Sequence, residues 1–291
     1  MSAPRLLLGA TSLELPGNAT RDRALEVVAR FREPESLAVT LVKALDAGAD
    51  GVYGPPTATL RAALRELRRA VPMVVRLPLT PPDDDVHEAH SLDEATDSGL
   101  GRAFAAARAG FAGLALLPAA LAGDLSARVV ARCERELQGF SARSPVGAAF
   151  APGVTDLALA AGNARALERL VHWGRARFGG LAGFETRNLG TLLARLHEWG
   201  VEPDFVIGAV NPRGYAMRPD PAHVLAALKR PGIPVLATEL CAGGTVPLEE
   251  GARFASEQGA WGLVPELIEL EDVAGELRRL AAARSGAIAK G

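Results

Sequence analysis

Residues 203–244 read PDFVIGAVNPRGYAMRPDPAHVLAALKRPGIPVLATELCAGG. An apolar run, Phe205 to Val210, leads into a polar loop that carries Asn211 and Arg213. Pro221 stands where a first helical turn tolerates proline, and Pro221 to Lys229 is predicted to be a helix. A second apolar run, Val235 to Glu239, runs into a Gly-rich turn. The stretch is a strand–helix–strand unit. Parallel strands need such a crossover, so the unit implies a parallel sheet.

Similar units extend in both directions. Downstream lie a helix from Leu248 to Gln258, a strand from Trp261 to Val264 and a closing helix from Asp272 to Ala283. Upstream, strands are predicted at Arg5–Thr11, Asp50–Gly54, Met73–Leu79, Phe111–Leu117 and Leu181–Thr186. Helices fall at Ser36–Ala47, Thr57–Ala70, Ser98–Ala109, Asp124–Leu137, Ala164–Arg177 and Leu189–Trp199. Leu13 to Arg32 reads as a long connection around the turn Pro16-Gly17-Asn18. Pro145 to Ala151 is a further candidate strand. The segment Pro145–Asn163 is thus either a sheet member or an excursion over it.

The strands are apolar on both faces, as burial on both sides requires. About eight β/α units over about 250 residues is the size of a (β/α)8 TIM barrel. The expected fold is therefore α/β, a single TIM-barrel domain over residues 1–291, with an extra segment around 145–163 if that strand lies outside the ring. An open doubly wound sheet is the alternative, but Gly9-Ala10-Thr11-Ser12 does not supply its usual glycine fingerprint.

Bulk properties narrow the class. Hydrophobic residues make up 48% of the 291, enough for a large core. The formal net charge is −2, with no basic block for nucleic acid. No apolar run is long enough to span a bilayer. Cys133 and Cys241 form neither a disulfide framework nor a C-x-x-C pair. The expectation is a soluble cytoplasmic protein with a small-molecule substrate and no nucleic-acid or membrane partner.

From about Gly180 onward the chain resembles the aldo/keto reductase superfamily. GGLAGFETRN is similar to that family's fifth strand, VIGAVNP to its sixth, PVLATELCAGG to its seventh with the following Gly loop, and PLEEGARFA to the next helix. ALDAGADGVYG resembles the second strand. The resemblance implies a barrel, and by itself a reductase with NADPH as cofactor and Tyr53 as the acid. The sequence departs from that chemistry. Arg76 stands where the family has a lysine, and the two are not interchangeable there. The predicted fourth strand ends Leu117-Pro118 with no histidine, and the last strand runs into Pro265-Glu266 rather than a basic turn.

In such barrels the working residues sit at the carboxyl ends of strands. Those ends supply Thr11, Tyr53, Arg76, Glu185, Arg187, Asn211, Arg213, Glu239 and Glu266. A carboxylate beside apolar strands is partly desolvated, and two in different surroundings can serve as acid and base. Glu185 and Glu239 are the expected pair, with Asn211 orienting a carbonyl or hydroxyl. Arg76 and Arg187 are expected to hold an anion through parallel hydrogen bonds, with Tyr53, Thr11, Arg213 and Glu266 completing the substrate site. The three lysines, Lys43, Lys229 and Lys290, avoid strand ends, which argues against a Schiff-base or pyridoxal phosphate enzyme. His172, His197 and His223 fall on predicted helices. Asp83 to His90 holds carboxylates and an H-x-x-H pair, ligand types that suit a metal, although a solvated loop has the same composition.

The functional expectation is a cofactor-independent acid/base enzyme, a lyase, isomerase or hydrolase, acting on a small polar anionic metabolite at the barrel rim. The alternatives are a divergent NADPH-dependent reductase and a non-catalytic binding or scaffolding barrel.

Overall fold

The computed structural model describes residues 3–10, 21–67, 70–78, 124–138, 140, 145–230, 232–265 and 272–288. Its eight strands form one parallel sheet in sequential order. They are β1 (Leu7–Gly9), β2 (Gly51–Gly54), β3 (Met73–Leu77), β4 (Pro145–Phe150), β5 (Leu181–Glu185), β6 (Phe205–Ala209), β7 (Val235–Thr238) and β8 (Gly262–Leu263). A bridge between Leu6 and Leu263 joins the last strand to the first, so the sheet curls into a ring with a thin seam. The architecture is that of a (β/α)8 barrel.

Ten helices are seen among the described residues: α1 (Arg21–Arg30), α2 (Pro34–Asp46), α3 (Ala58–Glu66), α4 (Leu125–Glu136), α5 (Pro152–Ala160), α6 (Ala164–Phe178), α7 (Leu189–Trp199), α8 (Pro221–Leu228), α9 (Leu248–Glu257) and α10 (Val273–Ile288). Local chemistry sets several of their starts. The Thr57 side chain accepts from the Leu60 N–H, Asn163 from Ala166 and Asp220 from His223, each satisfying one orphan donor of a first turn. Left-handed Gly179 and Gly200 end α6 and α7.

Two expectations change. The candidate strand Pro145–Ala151 is a ring member: β4 pairs directly with β3 on one side and β5 on the other. The run Phe111–Leu117 lies outside the described residues. The connection from Leu13 to Arg32 contains α1, which buries Val27. A helix, α5, also follows β4. Its first turn holds Pro152-Gly153, a pair that reads as a turn in sequence, and its apolar residues do not gather on one face.

Pairing register divides the side chains into two shells. One set faces the helices. The other fills the lumen with Leu7, Tyr53, Val74, Ala149, Leu181, Phe205, Ile207, Leu236 and Val264. At the amino end of the ring Trp261 seals the seam: its indole N–H donates to the Ala3 carbonyl, and the Arg5 guanidinium lies 3.5 Å from the ring centroid. Two aspartates repeat one clasp. Asp50, just before β2, accepts the Arg5 and Leu6 N–H groups at 2.6 and 2.9 Å. Asp204, just before β6, accepts the Ala182 N–H at 2.8 Å and pairs with Arg175. Asp50 therefore fastens β1 to β2 at the end opposite the carboxyl rim.

The lumen is filled by matching small residues to large ones. A Cβ built on Gly183 would lie 2.5 Å from the Phe205 ring. Gly183→Val is expected to destabilise the fold by about 1–3 kcal/mol through overpacking. Urea denaturation would show it as a lower midpoint at unchanged slope, and an unchanged midpoint would mean that the lumen has room to spare.

Candidate functional site

Three lumen residues near the carboxyl ends of their strands form a polar cluster. Tyr53 lies one residue before the end of β2, Arg76 one before the end of β3, and Glu185 ends β5. Arg76 Nε donates to Glu185 Oε2 at 2.5 Å, and each side chain is 20% exposed. β4 runs between their strands, and it contributes only Ala149 to the lumen at the level of Arg76. That small side chain lets arginine and glutamate reach each other across it.

Tyr53 is 4% exposed. Its hydroxyl is close enough to Arg76 and Glu185 to be shifted by both, yet it makes a well-formed hydrogen bond to no described residue. An unpaired hydroxyl in that position is costly unless something else bonds to it. Burial pushes the phenol pKa well above its usual 10.0, and the Glu185 carboxylate pushes it the same way, while Arg76 pulls it down. Tyr53 is thus a proton-bearing donor throughout the neutral range. Burial alone would lower the Arg76 pKa, but Glu185 and Tyr53 outweigh it, and the guanidinium stays charged.

The loop after Glu185 is anchored from α5. Asp156 accepts the Thr186 hydroxyl through Oδ1 and the Arg187 N–H through Oδ2 at 3.1 Å. Thr186 Oγ1 in turn accepts the Asn188 N–H at 2.9 Å. Sequence reasoning missed Asp156 because its helix was hidden in the ambiguous segment.

The remaining sequence candidates scatter along the mouth. Asn211 is buried, and its amide is spent on the loop: Nδ2 donates to the Tyr215 carbonyl at 2.8 Å and Oδ1 accepts the Tyr215 N–H at 2.9 Å. Glu239 directly follows β7, partly buried and in left-handed conformation with φ 55°. Arg187 and Arg213 are exposed. Thr11, Glu266, Lys290 and the Asp83–His90 loop lie outside the described residues. Lys43 lies in α2, and Lys229 follows α8 directly. His172, His197 and His223 sit on α6, α7 and α8, away from the lumen.

Two clefts accompany the ring. The larger, about 830 Å³, opens beneath the amino ends of β6 and β7, where barrels gain stability rather than catalysis. Its Arg175 is already paired with Asp204. The smaller, about 560 Å³, lies on the carboxyl rim between the β6–α8 and β7–α9 loops.

No known family model matches the chain, and no curated protein matches it. The resemblance to the aldo/keto reductases therefore rests on the barrel. The observed β4 ends Phe150-Ala151 and supplies no histidine at the fourth strand end.

The chain has two tyrosines, which makes the site readable by ultraviolet titration. Tyr53 is expected to ionise well above the usual phenol range. Glu185→Gln should lower the Tyr53 transition, because a raising charge is lost. Arg76→Met should raise it. A Tyr53 transition in the usual phenol range would show that the hydroxyl is neither buried nor coupled to the ion pair.

Proposed function

We propose that the protein is an enzyme that moves protons on a small anionic metabolite at the barrel mouth, without a cofactor, as a lyase, isomerase or hydrolase. The observation that carries this reading is the buried Tyr53 hydroxyl, with no well-formed hydrogen bond among the described residues, beside the Arg76–Glu185 ion pair. Tyr53 stays protonated and donates to a substrate oxygen on which negative charge develops. Glu185 is the base. A proton on the carbon next to that carbonyl passes to the carboxylate, and the electron pair it leaves delocalises onto the oxygen held by Tyr53. Arg76 offers the positive charge for the substrate's anionic group. The strained backbone at Glu239 supports a role for this second carboxylate, since such strain is kept where surroundings over-determine it. Asn211 acts by fixing the loop that it ties.

A reductase using Tyr53 as acid is the second reading, favoured by the same tyrosine lying beside a cation paired with a carboxylate. The residues fit it poorly, with Arg76 in place of lysine and no histidine at the end of β4, so no step is routed through NADPH. A fluorescence titration with NADPH decides: no binding at high micromolar concentration removes this reading.

The acid/base reading is tested by hydrogen exchange. A panel of small α-keto and β-hydroxy acids is incubated with the protein in deuterated water, and loss of C–H signal is followed by NMR. At least one member should exchange. Glu185→Gln should slow that exchange by about a hundredfold to ten-thousandfold, and Tyr53→Phe should also slow it. Glu239→Gln should abolish turnover with the fold intact, and unchanged turnover would take Glu239 out of the mechanism. Exchange that survives Glu185→Gln would overturn the assignment of the base.

A further inference from the structure

The rim cleft is lined by Arg213, Tyr215, Ala242, Gly243 and Thr245, residues apart from the Tyr53–Arg76–Glu185 cluster. Its two walls are loops of unusual backbone. Gly214 and Ala216 on one side, and Glu239, Ala242, Gly243 and Gly244 on the other, all have positive φ. Three of these residues are not glycine, and each pays for that conformation.

The first loop is built around an exposed aromatic ring. Buried Asn211 grips both the N–H and the carbonyl of Tyr215. The Gly214 N–H donates back to the Asn211 carbonyl, and the Met217 N–H to the Gly214 carbonyl. The backbone of Tyr215 is thereby fixed, while its side chain remains 44% exposed. The ring lies on the opposite loop: a Cβ built on Gly243 would sit 3.4 Å from Tyr215 Cζ. That is ordinary contact distance, so the ring packs against this turn, and it is the φ of 67° that favours glycine there. Internal packing does not require this tyrosine, since nearly half of it faces water. A rigid, half-bare aromatic ring is a stacking surface.

Several polar groups of the cleft are donors. Arg213 is exposed and has no ion-pair partner among the described residues. The Gly243 and Thr245 N–H groups donate to no described backbone carbonyl. The Thr245 hydroxyl donates to the Ala242 carbonyl and pins the second loop. A volume of about 560 Å³ suits a ring-sized ligand.

We infer that this cleft binds a planar aromatic ring bearing an anionic group, with the ring stacked on Tyr215 and the anion held by Arg213. The inference uses residues distinct from the lumen cluster and stands or falls without it. An aryl carboxylate and a nucleoside monophosphate share the required chemistry.

Fluorotyrosine labelling tests it, because two tyrosines give two fluorine NMR signals, assigned by Tyr215→Phe. Benzoate and adenosine monophosphate are titrated separately to about 10 mM, the range of weak single-ring binding. Saturable movement of the Tyr215 signal by benzoate alone identifies an aryl acid as the source, and by adenosine monophosphate alone a nucleotide. The Tyr53 signal should stay in place. Arg213→Met should weaken binding about tenfold, the loss expected for one charge-assisted contact. Circular dichroism confirms that the variant is folded. Inorganic phosphate should not move the Tyr215 signal, and adenosine should bind less tightly than its monophosphate. The inference is overturned if neither probe moves Tyr215, if only Tyr53 moves, if phosphate alone reproduces the shift, or if Arg213→Met binds as well as the parent protein.

Discussion

A ring of parallel strands gives every second residue a place in a lumen whose volume is fixed. That constraint governs this molecule. Alternate residues must fill the centre without collision, so bulk on one strand demands its absence on the next. Phe205 faces Gly183, and Arg76 reaches Glu185 past Ala149. A bulky aliphatic residue at 149 would fill the space between the partners of the ion pair, and the mouth would become another apolar layer.

The two ends of the lumen differ as a result. The amino end is closed by Leu181, Phe205 and Trp261, and stitched by Asp50 and Asp204 to backbone N–H groups of neighbouring strands. Each of those carboxylates accepts backbone donors that would otherwise lack partners where the sheet begins. The carboxyl end carries the side chains whose burial is expensive. A guanidinium and a carboxylate 20% exposed cost free energy to desolvate, and their contact offsets part of it. A phenol beside them with no well-formed bond adds to that cost. Concentrating such cost at one end of an otherwise apolar lumen is the pattern of a site, and it is why the acid/base reading rests on these three residues.

The outer rim follows another logic. There the backbone is strained and the side chains are exposed. Asn211 illustrates the difference: in sequence it stands at a strand end with an amide suited to a substrate, but in the fold that amide completes the turn that displays Tyr215. The carboxyl mouth thus has a partly buried charged floor and a fixed aromatic ledge.

The parallel architecture was legible in the chain because strands buried on both faces are continuously apolar and must be joined by crossovers. VIGAV and PVLAT announce themselves, and so do Glu185, Tyr53 and Arg76 as polar residues at strand ends. Which strands close the ring was not legible. Pro145–Ala151 could be read from composition as a strand or as an excursion over the sheet, and long-range hydrogen bonding made it a ring member. Nor could a one-dimensional pattern pair Arg76 with Glu185, 109 residues apart, or tell a carboxylate that faces the lumen from one that clasps a strand. Local periodicity fixes what each segment is. Only closure, by setting register and so the direction of every alternate side chain, decides which of them meet.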